Sequence, residues 1–431
     1  LIFRHIITES KTKKTIRRLW LQSMTKQAIR DGFQKLRSDE AMLPLACAAV
    51  CRSESDWLVG INGTRAMTAF NSKSGGFFLT TVGRVQTPTL TILVDREQKI
   101  KKFIERNYWE LHANFHAKAG HYEGRWFDEG FRKKDKESDP DLRPERIWSK
   151  ELAEEIQKKC LHQSGTVTEE KRPSKQLSPL LYDLTSLQRE ANSRFGLPAG
   201  RTLQLAQALY ERHKMLTYPR TDSRALPEDY LGTVKETLKA FTGSSYESSA
   251  SKIERNSWVK PNKRIFNNAK ISDHFAIIPT SLGPKKKLND DEQKIYDMVV
   301  RRFLAVFFPP AEYQITTRIT RVMEEAFKTD GKILINPGWL EVYGKALPTG
   351  EADHLTPVEN GETVATQELD LRENQTKPSP RYSEATLLSA MEGAGKLVDD
   401  EELREAMGAK GLGTPATRAS IIENLIREKY V

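Results

Sequence analysis

The sequence predicts a multi-domain α+β protein in which helical segments alternate with β-rich segments. At 431 residues the chain is too long for a single hydrophobic core. Helical periodicity is found in the first hundred residues, again over 182–210, and again near the end. Alternating patterns typical of strands occur at 108–116 and 313–322. The order helical, β, helical, β, helical predicts a β segment that the chain enters twice and a helical domain built from both chain ends.

Within the first helical segment, Thr25 precedes an amphipathic pattern and is a candidate N-cap. The stretches 57–61 and 89–100 carry further helical periodicity. Cys47 and Cys51 lie one helical turn apart, without a second pair or a nearby histidine, so we interpret them as core residues rather than zinc ligands. Three cysteines in all argue against a disulfide scaffold and fit a reducing cytoplasm.

The first β segment alternates apolar and polar residues. One face of this predicted strand carries Trp109, Leu111, Ala113 and Phe115. His112 and His116 share the other face, where two histidines could bind a metal. Because no third ligand is in view, we interpret that side as a solvated strand face.

The second half of the chain returns to helix. The helix over 182–210 is expected to break at Gly196-Leu197-Pro198. The segments 313–322 and 338–342 have strand character, and helix resumes from 383 to 431 with an interruption at Gly411-Leu412-Gly413. The acidic run 399–402 is interpreted as a solvated helical face.

Charge favours a polyanionic partner. The formal net charge is +10 and the pI is near 9.2, and Lys and Arg gain affinity for phosphate backbones by releasing condensed counterions. No apolar run reaches the length of about 18 residues that a membrane span needs, so no membrane association is expected. The sequence starts at Leu1 without an initiator Met or a signal-peptide pattern, and both ends are expected to be cuts through a longer protein.

The most informative segment is Leu216-Thr217-Tyr218-Pro219-Arg220-Thr221-Asp222-Ser223. A tyrosine phenol, with a pKa of about 10, is a poor nucleophile at neutral pH. It becomes effective in phosphoryl transfer where a guanidinium neutralises the developing phosphate charge. Arg220 lies two positions from Tyr218 and could reach the same phosphate in an extended geometry. The alternative is a Tyr-Pro turn with a structural Arg–Asp pair.

This segment and five others resemble the motifs of type IA DNA topoisomerases, closest to the topoisomerase III branch. The others are Val82-Gly83-Arg84-Val85-Gln86-Thr87-Pro88-Thr89-Leu90, Tyr182-Asp183-Leu184-Thr185-Ser186-Leu187-Gln188, Asp273-His274-Phe275-Ala276-Ile277-Ile278-Pro279-Thr280, Arg381-Tyr382-Ser383-Glu384-Ala385-Thr386-Leu387 and Gly413-Thr414-Pro415-Ala416-Thr417-Arg418-Ala419. Together they span nearly the whole sequence, in the order that the family has.

The resemblance implies a torus of helical domains and a β-rich arch, with the Toprim domain largely missing from this sequence. The implied domains are 1–24 (end of Toprim), 25–104 and 379–431 (helical base), 105–172 and 311–378 (arch), and 173–310 (helical domain with the tyrosine). The family's acidic Toprim cluster, which binds Mg²⁺, would lie directly before Leu1. The resemblance therefore implies Mg²⁺ for the full-length protein, no metal ligands here, no use of ATP, and impaired activity of this stretch alone.

The resemblance also implies roles for individual residues. Tyr218 would attack single-stranded DNA to form a 5′-phosphotyrosine bond, Arg220 would stabilise the phosphoryl charge, and His274 would bond near the scissile phosphate. Candidate DNA contacts are Arg84, Gln86, Thr417 and Arg418. Alternatives stay open: His274 could be a core histidine, and Arg84 could cap a helix or pair with a carboxylate. An inserted residue near His213 favours a structural role for Glu211.

The implied function is ATP-independent cleavage, strand passage and religation, which relaxes negative supercoils or decatenates DNA. The implied partners are single-stranded DNA and supercoiled or catenated DNA, and a helicase or a single-strand-binding protein is a further candidate. The implied location is the cytoplasm, at the nucleoid. One alternative is a non-catalytic single-stranded DNA-binding fragment, since the acidic cluster is absent. Another is a tyrosine recombinase or a relaxase, but the residue patterns of neither are found.

Overall fold

The computed structural model describes residues 2–132, 139–283, 287–345, 355–397 and 411–431. It divides into two compact units: a mainly helical unit of Leu1–Glu97, Pro179–Phe307 and Arg381–Val431, and a barrel unit of Gln98–Ser178 and Phe308–Pro380. The alternation of helical and β segments along the chain agrees with the sequence patterns. The individual domain boundaries given above stay a prediction.

The first hundred residues are mainly helical, as expected. Their elements are α1 (Ile2–Ser10), β1 (Arg17–Arg18), α2 (Lys26–Gln34), β2 (Arg37–Ser38), a 3-10 turn (Glu40–Met42), α3 (Leu43–Asn71) and α4 (Gln86–Lys101). Thr25 caps α2, because its side chain accepts a hydrogen bond from the backbone N–H of Ala28. Cys47 and Cys51 are exposed on α3, so their interpretation as core residues is wrong. Several large apolar residues of α3, among them Leu45, Trp57 and Leu58, are exposed as well, so apolar residues in this helix do not identify a core.

In the barrel unit, six strands close on themselves in the order β3-β4-β7-β6-β5-β8. They are β3 (Asn107–Ala117), β4 (Gly120–Trp126), β5 (Ser164–Gln176), β6 (Ala311–Val322), β7 (Glu325–Asn336) and β8 (Thr363–Gln375). Every pair is antiparallel. β3 pairs with both β4 and β8. The first and last strands of the unit, β3 and β8, therefore close the barrel.

The predicted faces of β3 are present. Leu111, Ala113 and Phe115 are buried in the core of the unit, together with residues of helix α5 (Lys150–Cys160). On the other face, Nδ1 of His112 lies 2.7 Å from a carboxylate oxygen of Glu123. Within the described ranges, no group of three or more His, Cys, Asp or Glu side chains could hold a metal ion. Glu123 is thus a hydrogen-bonding partner of His112 on this face.

The strand predicted at 338–342 is wrong, because these residues form the 3-10 helix Gly338–Tyr343. Gly338 has a φ of +47°, a left-handed conformation that strands do not use. A Cβ atom at this position would lie 2.2 Å from the carbonyl oxygen of Pro310, so only glycine fits the close approach. The short helix buries Trp339, Leu340 and Val342, which satisfies the apolar pattern without a strand.

The rest of the helical unit contains α6 (Leu184–Phe195), α7 (Ala199–Glu211), α8 (Leu231–Lys239), α9 (Glu247–Arg255), α10 (Asp290–Ala305), α11 (Glu384–Glu392) and α12 (Pro415–Arg427), with 3-10 turns at Glu228–Tyr230, Asn268–Lys270 and Ala394–Leu397. The predicted break between α6 and α7 is present. Gly196 adopts a left-handed φ of 67° at the end of α6, and Pro198 is the N-cap of α7.

A shared apolar core holds the last two helices against α7. Leu387, Leu388 and Met391 from α11 pack with Ala419 and Ile422 from α12. The acidic run 399–402 lies outside the described residues, so its interpretation stays a prediction. Of the helices described, none combines the length and the apolar character needed to cross a membrane.

Candidate active site

The segment that contains Tyr218 lies beside the segment that contains His274, and backbone hydrogen bonds fix the two together. The N–H of Thr217 donates to the carbonyl of Ile278 at 2.9 Å. The Thr217 hydroxyl accepts from the Ile278 N–H at 2.9 Å and donates to the carbonyl of Ala276 at 3.1 Å. The Thr221 hydroxyl donates to the carbonyl of His274 at 2.8 Å. Hydroxyl residues on both sides of Tyr218 therefore set its position relative to His274.

The result is a cluster of aromatic rings around the phenol. The ring of His274 lies 4.4 Å from that of Tyr218, centroid to centroid, and is tilted by 49°. Tyr210, near the end of α7, contacts Tyr218 edge to face at 5.4 Å. Tyr218 is half-buried and His274 is exposed. The phenol ring is thus fixed by its neighbours while a polar ligand can still approach from solvent.

Arg220 completes the site with a positive charge. Its side chain is exposed, and its Nη2 donates a hydrogen bond to Oε1 of Gln207 on α7 at 3.1 Å. A guanidinium has five N–H donors, so this one bond to a neutral amide leaves donors for a phosphate. A half-buried phenol in contact with an imidazole, with an exposed guanidinium two residues along the chain, is a set of groups suited to phosphoryl transfer.

Residues after Arg220 anchor the segment to the start of α6. The carbonyl of Thr221 accepts from the Leu184 N–H at 3.0 Å. Asp183 is the N-cap of α6, and its second carboxylate oxygen accepts from Nε of Arg224 at 2.8 Å. Two of the matched motifs, 182–188 and 216–223, are therefore in contact. The Arg–Asp pair of the alternative interpretation would lie within 216–223, whereas the pair found here joins Arg224 to Asp183, both outside that segment. Asp222 accepts from the hydroxyl of Ser272 at 3.0 Å instead.

Sequence reasoning missed Gln207, Tyr210, Asp183 and Arg224 as parts of this site. The sequence contains a signal for Gln207 and Tyr210. They are three positions apart on α7, so they share one side of a helix that ends shortly before Tyr218. Glu211 accepts from Nε2 of Gln207 at 2.9 Å. Its partner is thus a neighbouring side chain of α7, which agrees with the structural role favoured for it.

The predicted DNA contacts near the start of α4 have protein partners in this structure. Nε of Arg84 donates to a carboxylate oxygen of Asp56 on α3 at 2.6 Å. This bond lowers the pKa of the Asp56 carboxyl and raises the pKa of Arg84. Gln86 donates through Nε2 to the hydroxyl of Thr81 at 3.3 Å. Arg84 is exposed, so its contact with DNA stays a prediction, with Asp56 as a competitor.

Removing the competing carboxylate is expected to strengthen DNA binding. Asp56→Asn should raise the affinity for single-stranded oligonucleotides by about twofold to fivefold at low salt, the range typical of an exposed ion pair. Fluorescence anisotropy measures this change. Glu54→Gln is the control, since it removes an exposed charge from the same helix without contacting Arg84. Equal effects of the two variants would show that Arg84 does not contact the DNA.

The predicted contacts in the last motif divide into an exposed and a buried residue. Thr417 is exposed and forms a capping box with Thr414 at the start of α12. Arg418 is only 3% exposed. Its Nε donates to the carbonyl of Leu412 at 3.0 Å, and its Nη1 donates to the hydroxyl of Thr185 at 2.9 Å. Burial lowers the pKa of Arg418 below its usual value. This geometry favours an internal role for Arg418 over the predicted DNA contact.

The residues described contain no set of ligands that fits the Mg²⁺ implied by the resemblance. Groups of three or more His, Cys, Asp or Glu side chains able to hold a metal ion are absent from them. Hard divalent cations such as Mg²⁺ need several oxygen ligands. No step of the chemistry is therefore assigned to a metal held by these residues.

Comparison with known proteins identifies the family. A family model described as DNA topoisomerase matches residues 40–431. The fold is similar to that of full-length topoisomerase I from Thermotoga maritima, with a TM-score of 0.66 and 24% identity over 99% of this chain and 64% of that chain. The chain belongs to the type IA DNA topoisomerases.

Two curated relatives are particularly similar, and both carry the name DNA topoisomerase 3. The protein from Bacillus cereus strain ATCC 14579 is 41% identical over 437 residues, and the one from Bacillus subtilis strain 168 is 40% identical over 436 residues. Each alignment covers 99% of this chain and 57% of the relative. The chain thus spans a little over half the length of these relatives.

Proposed function

We propose that this chain carries the cleavage tyrosine of a type IA DNA topoisomerase. The single observation that supports this most strongly is the contact between Tyr218 and His274, with the exposed guanidinium of Arg220 two residues away. Family membership gives the reaction class, and this cluster gives the groups that would perform it. Tyr218, Arg220 and His274 are the proposed catalytic residues.

In the proposed reaction, the phenolic oxygen of Tyr218 attacks the phosphorus of a phosphodiester in single-stranded DNA. A bond forms between this oxygen and phosphorus, the bond from phosphorus to the 3′ oxygen breaks, and the leaving oxygen takes up a proton as the phenol loses one. The product is a 5′-phosphotyrosine and a free 3′-hydroxyl. One ester replaces another, so religation is the reverse step and no ATP is consumed.

Arg220 would place donors against the non-bridging phosphate oxygens, where negative charge develops in the transition state. His274 would hydrogen-bond to the scissile phosphate or a flanking nucleotide, and its ring contact with Tyr218 supports a position next to the reacting atoms. Arg84, Gln86 and Thr417 are proposed DNA contacts. Magnesium stays an expectation for the complete gene product, at residues other than those described here.

The proposed substrates are supercoiled or catenated DNA that contains single-stranded regions, and the outcome is relaxation of negative supercoils or decatenation. A helicase or a single-strand-binding protein is a proposed partner, and the nucleoid in the cytoplasm is the proposed location. The second candidate function is single-stranded DNA binding without cleavage. The lack of a metal-binding group among the described residues favours it for this stretch of chain alone.

An oligonucleotide labelled at either end distinguishes these functions. We expect the complete gene product, given Mg²⁺, to become covalently attached through Tyr218 to the fragment on the 3′ side of the break. The label at the 3′ end should therefore stay on the protein, and the fragment with the 5′ label should be released with a free 3′-hydroxyl. This chain alone is expected to bind the oligonucleotide and to form little or no adduct. A 3′-linked adduct would exclude type IA chemistry, and binding without any adduct by the complete gene product would favour the non-catalytic function.

A further inference from the structure

Helix α7 places an amide between the catalytic guanidinium and a carboxylate. Gln207 and Glu211 are separated by four residues, so their side chains lie on the same side of the helix. Nε2 of Gln207 donates to Oε1 of Glu211 at 2.9 Å, and Oε1 of Gln207 accepts from Nη2 of Arg220 at 3.1 Å. The three groups form a continuous line from carboxylate to amide to guanidinium.

We propose that Gln207 is a positioning residue that holds Arg220 beside Tyr218 without neutralising its charge. The inference rests on the proposed function, because it assigns Arg220 to the DNA phosphate. An amide oxygen accepts one hydrogen bond from a guanidinium and carries no formal charge. The position of the guanidinium is thus restricted, while its full charge and its remaining donors stay available for a phosphate.

Glu211 determines which end of the amide faces Arg220. An ionised carboxylate only accepts hydrogen bonds, so it attracts the NH₂ end of the Gln207 amide. The carbonyl end is then directed at Arg220. This gives a function to the Gln–Glu spacing on α7 and explains why Glu211 can matter to the site without contacting Tyr218.

The same geometry predicts what a carboxylate at position 207 would do. A glutamate there would pair with Arg220 in a charge-assisted, bidentate contact and would compete directly with the phosphate. An alanine would leave Arg220 fully charged but less restricted. Of glutamine, glutamate and alanine at position 207, only glutamine both restricts Arg220 and leaves the charge of Arg220 available to a phosphate.

Salt dependence of DNA binding tests the proposal on this chain without any need for cleavage. For single-stranded DNA, log K falls with log salt concentration with a slope of about −0.7 per neutralised phosphate. Gln207→Glu should therefore reduce the magnitude of the slope by about 0.7 compared with Gln204→Glu. Gln204 is an exposed residue one turn earlier on the same helix. This control therefore introduces the same charge close by, at a side chain other than the one that bonds Arg220. Gln207→Ala should keep the wild-type slope.

Cleavage by the complete gene product provides the second measurement. Relative to Gln204→Glu, Gln207→Glu should slow adduct formation by about a hundredfold, the effect of losing one charge-stabilising group in an active site. Gln207→Ala should slow it about threefold to tenfold, since orientation is lost but charge is kept. Thermal unfolding of each variant identifies any loss of folding, and Gln207→Ala gives an independent answer if Gln207→Glu fails to fold.

The two ideas fail in different ways. If Gln207→Glu and Gln204→Glu have the same salt slope and the same adduct rate, the role of Gln207 is overturned while cleavage by Tyr218 stands. If the wild-type gene product forms no adduct, the proposed function fails. In that case the salt slopes still decide whether Gln207 keeps Arg220 available for phosphate.

Discussion

Tyr218→Phe is expected to abolish covalent attachment to DNA while leaving the affinity for single-stranded DNA within about twofold of wild type. The substitution removes only the hydroxyl group, so the ring contacts with His274 and Tyr210 can remain. Loss of a nucleophile from a catalytic group that acts as a unit lowers rates by about 10⁴-fold or more. A denaturing gel of labelled oligonucleotide with the complete gene product measures the adduct directly.

Tyr210→Phe is the matched control for this experiment. Tyr210 contacts the ring of Tyr218 edge to face, so the two tyrosines are neighbours with different proposed roles. Its variant should keep adduct formation within about threefold of wild type, because the ring stays and a half-buried hydroxyl contributes modestly. If Tyr218→Phe kept the adduct and Tyr210→Phe lost it, the nucleophile would be Tyr210, and the role proposed for Tyr218 would be wrong.

The parts of the fold that the sequence predicts well are those with strong local signals. Thr25 at the start of α2 and Gly196 at the end of α6 have the residue types that helix ends need. The β3 pattern is clear because one of its faces is buried and the other is polar. At the candidate active site, Tyr218 and Arg220 were open to prediction because both lie in one short segment.

The parts that were not predicted depend on distant contacts. Strands β5 and β8 are rich in charged residues, and much of each is exposed. Neither carries apolar alternation along its full length, so the signal that identifies a strand is weak. They are stabilised by pairing with β6 and β3. Closure of the barrel follows from this register, which no local pattern encodes.

Gln207 and Arg418 illustrate the same limit for side chains. Gln207 becomes significant only because α7 brings it to Arg220. Arg418 belongs to a motif that, by resemblance, contacts DNA, and an arginine is usually exposed. Its burial depends on the packing of α12 near Thr185 of α6, a contact between residues far apart in the sequence.

Arg418→Ala is expected to have the second large effect, as a loss of stability. The side chain is only 3% exposed and donates hydrogen bonds to the carbonyl of Leu412 and the hydroxyl of Thr185. Truncation would leave these acceptors without their donors and create a cavity, at a cost of about 3 kcal/mol or more. Because the chain divides into two units, the loss of stability is best measured locally. Hydrogen exchange of the amides in α6 and α12 provides this measurement.

Arg418→Lys separates this role from a DNA contact, because lysine keeps the charge but lacks the planar fork of donors. If Arg418 acts internally, lysine should increase exchange in α6 and α12 by at least about tenfold, as expected for a loss of about 1.4 kcal/mol, while DNA affinity changes less than twofold. Thr417→Ala, at the exposed neighbouring position, should affect mainly the first turn of α12. A weaker affinity for DNA with unchanged exchange would instead assign Arg418 to the DNA. The internal role also has a consequence for the candidate site. Arg418 bonds Thr185, and the neighbouring Leu184 donates its N–H to the carbonyl of Thr221. Arg418, although distant in sequence, would then stabilise the segment that carries Tyr218.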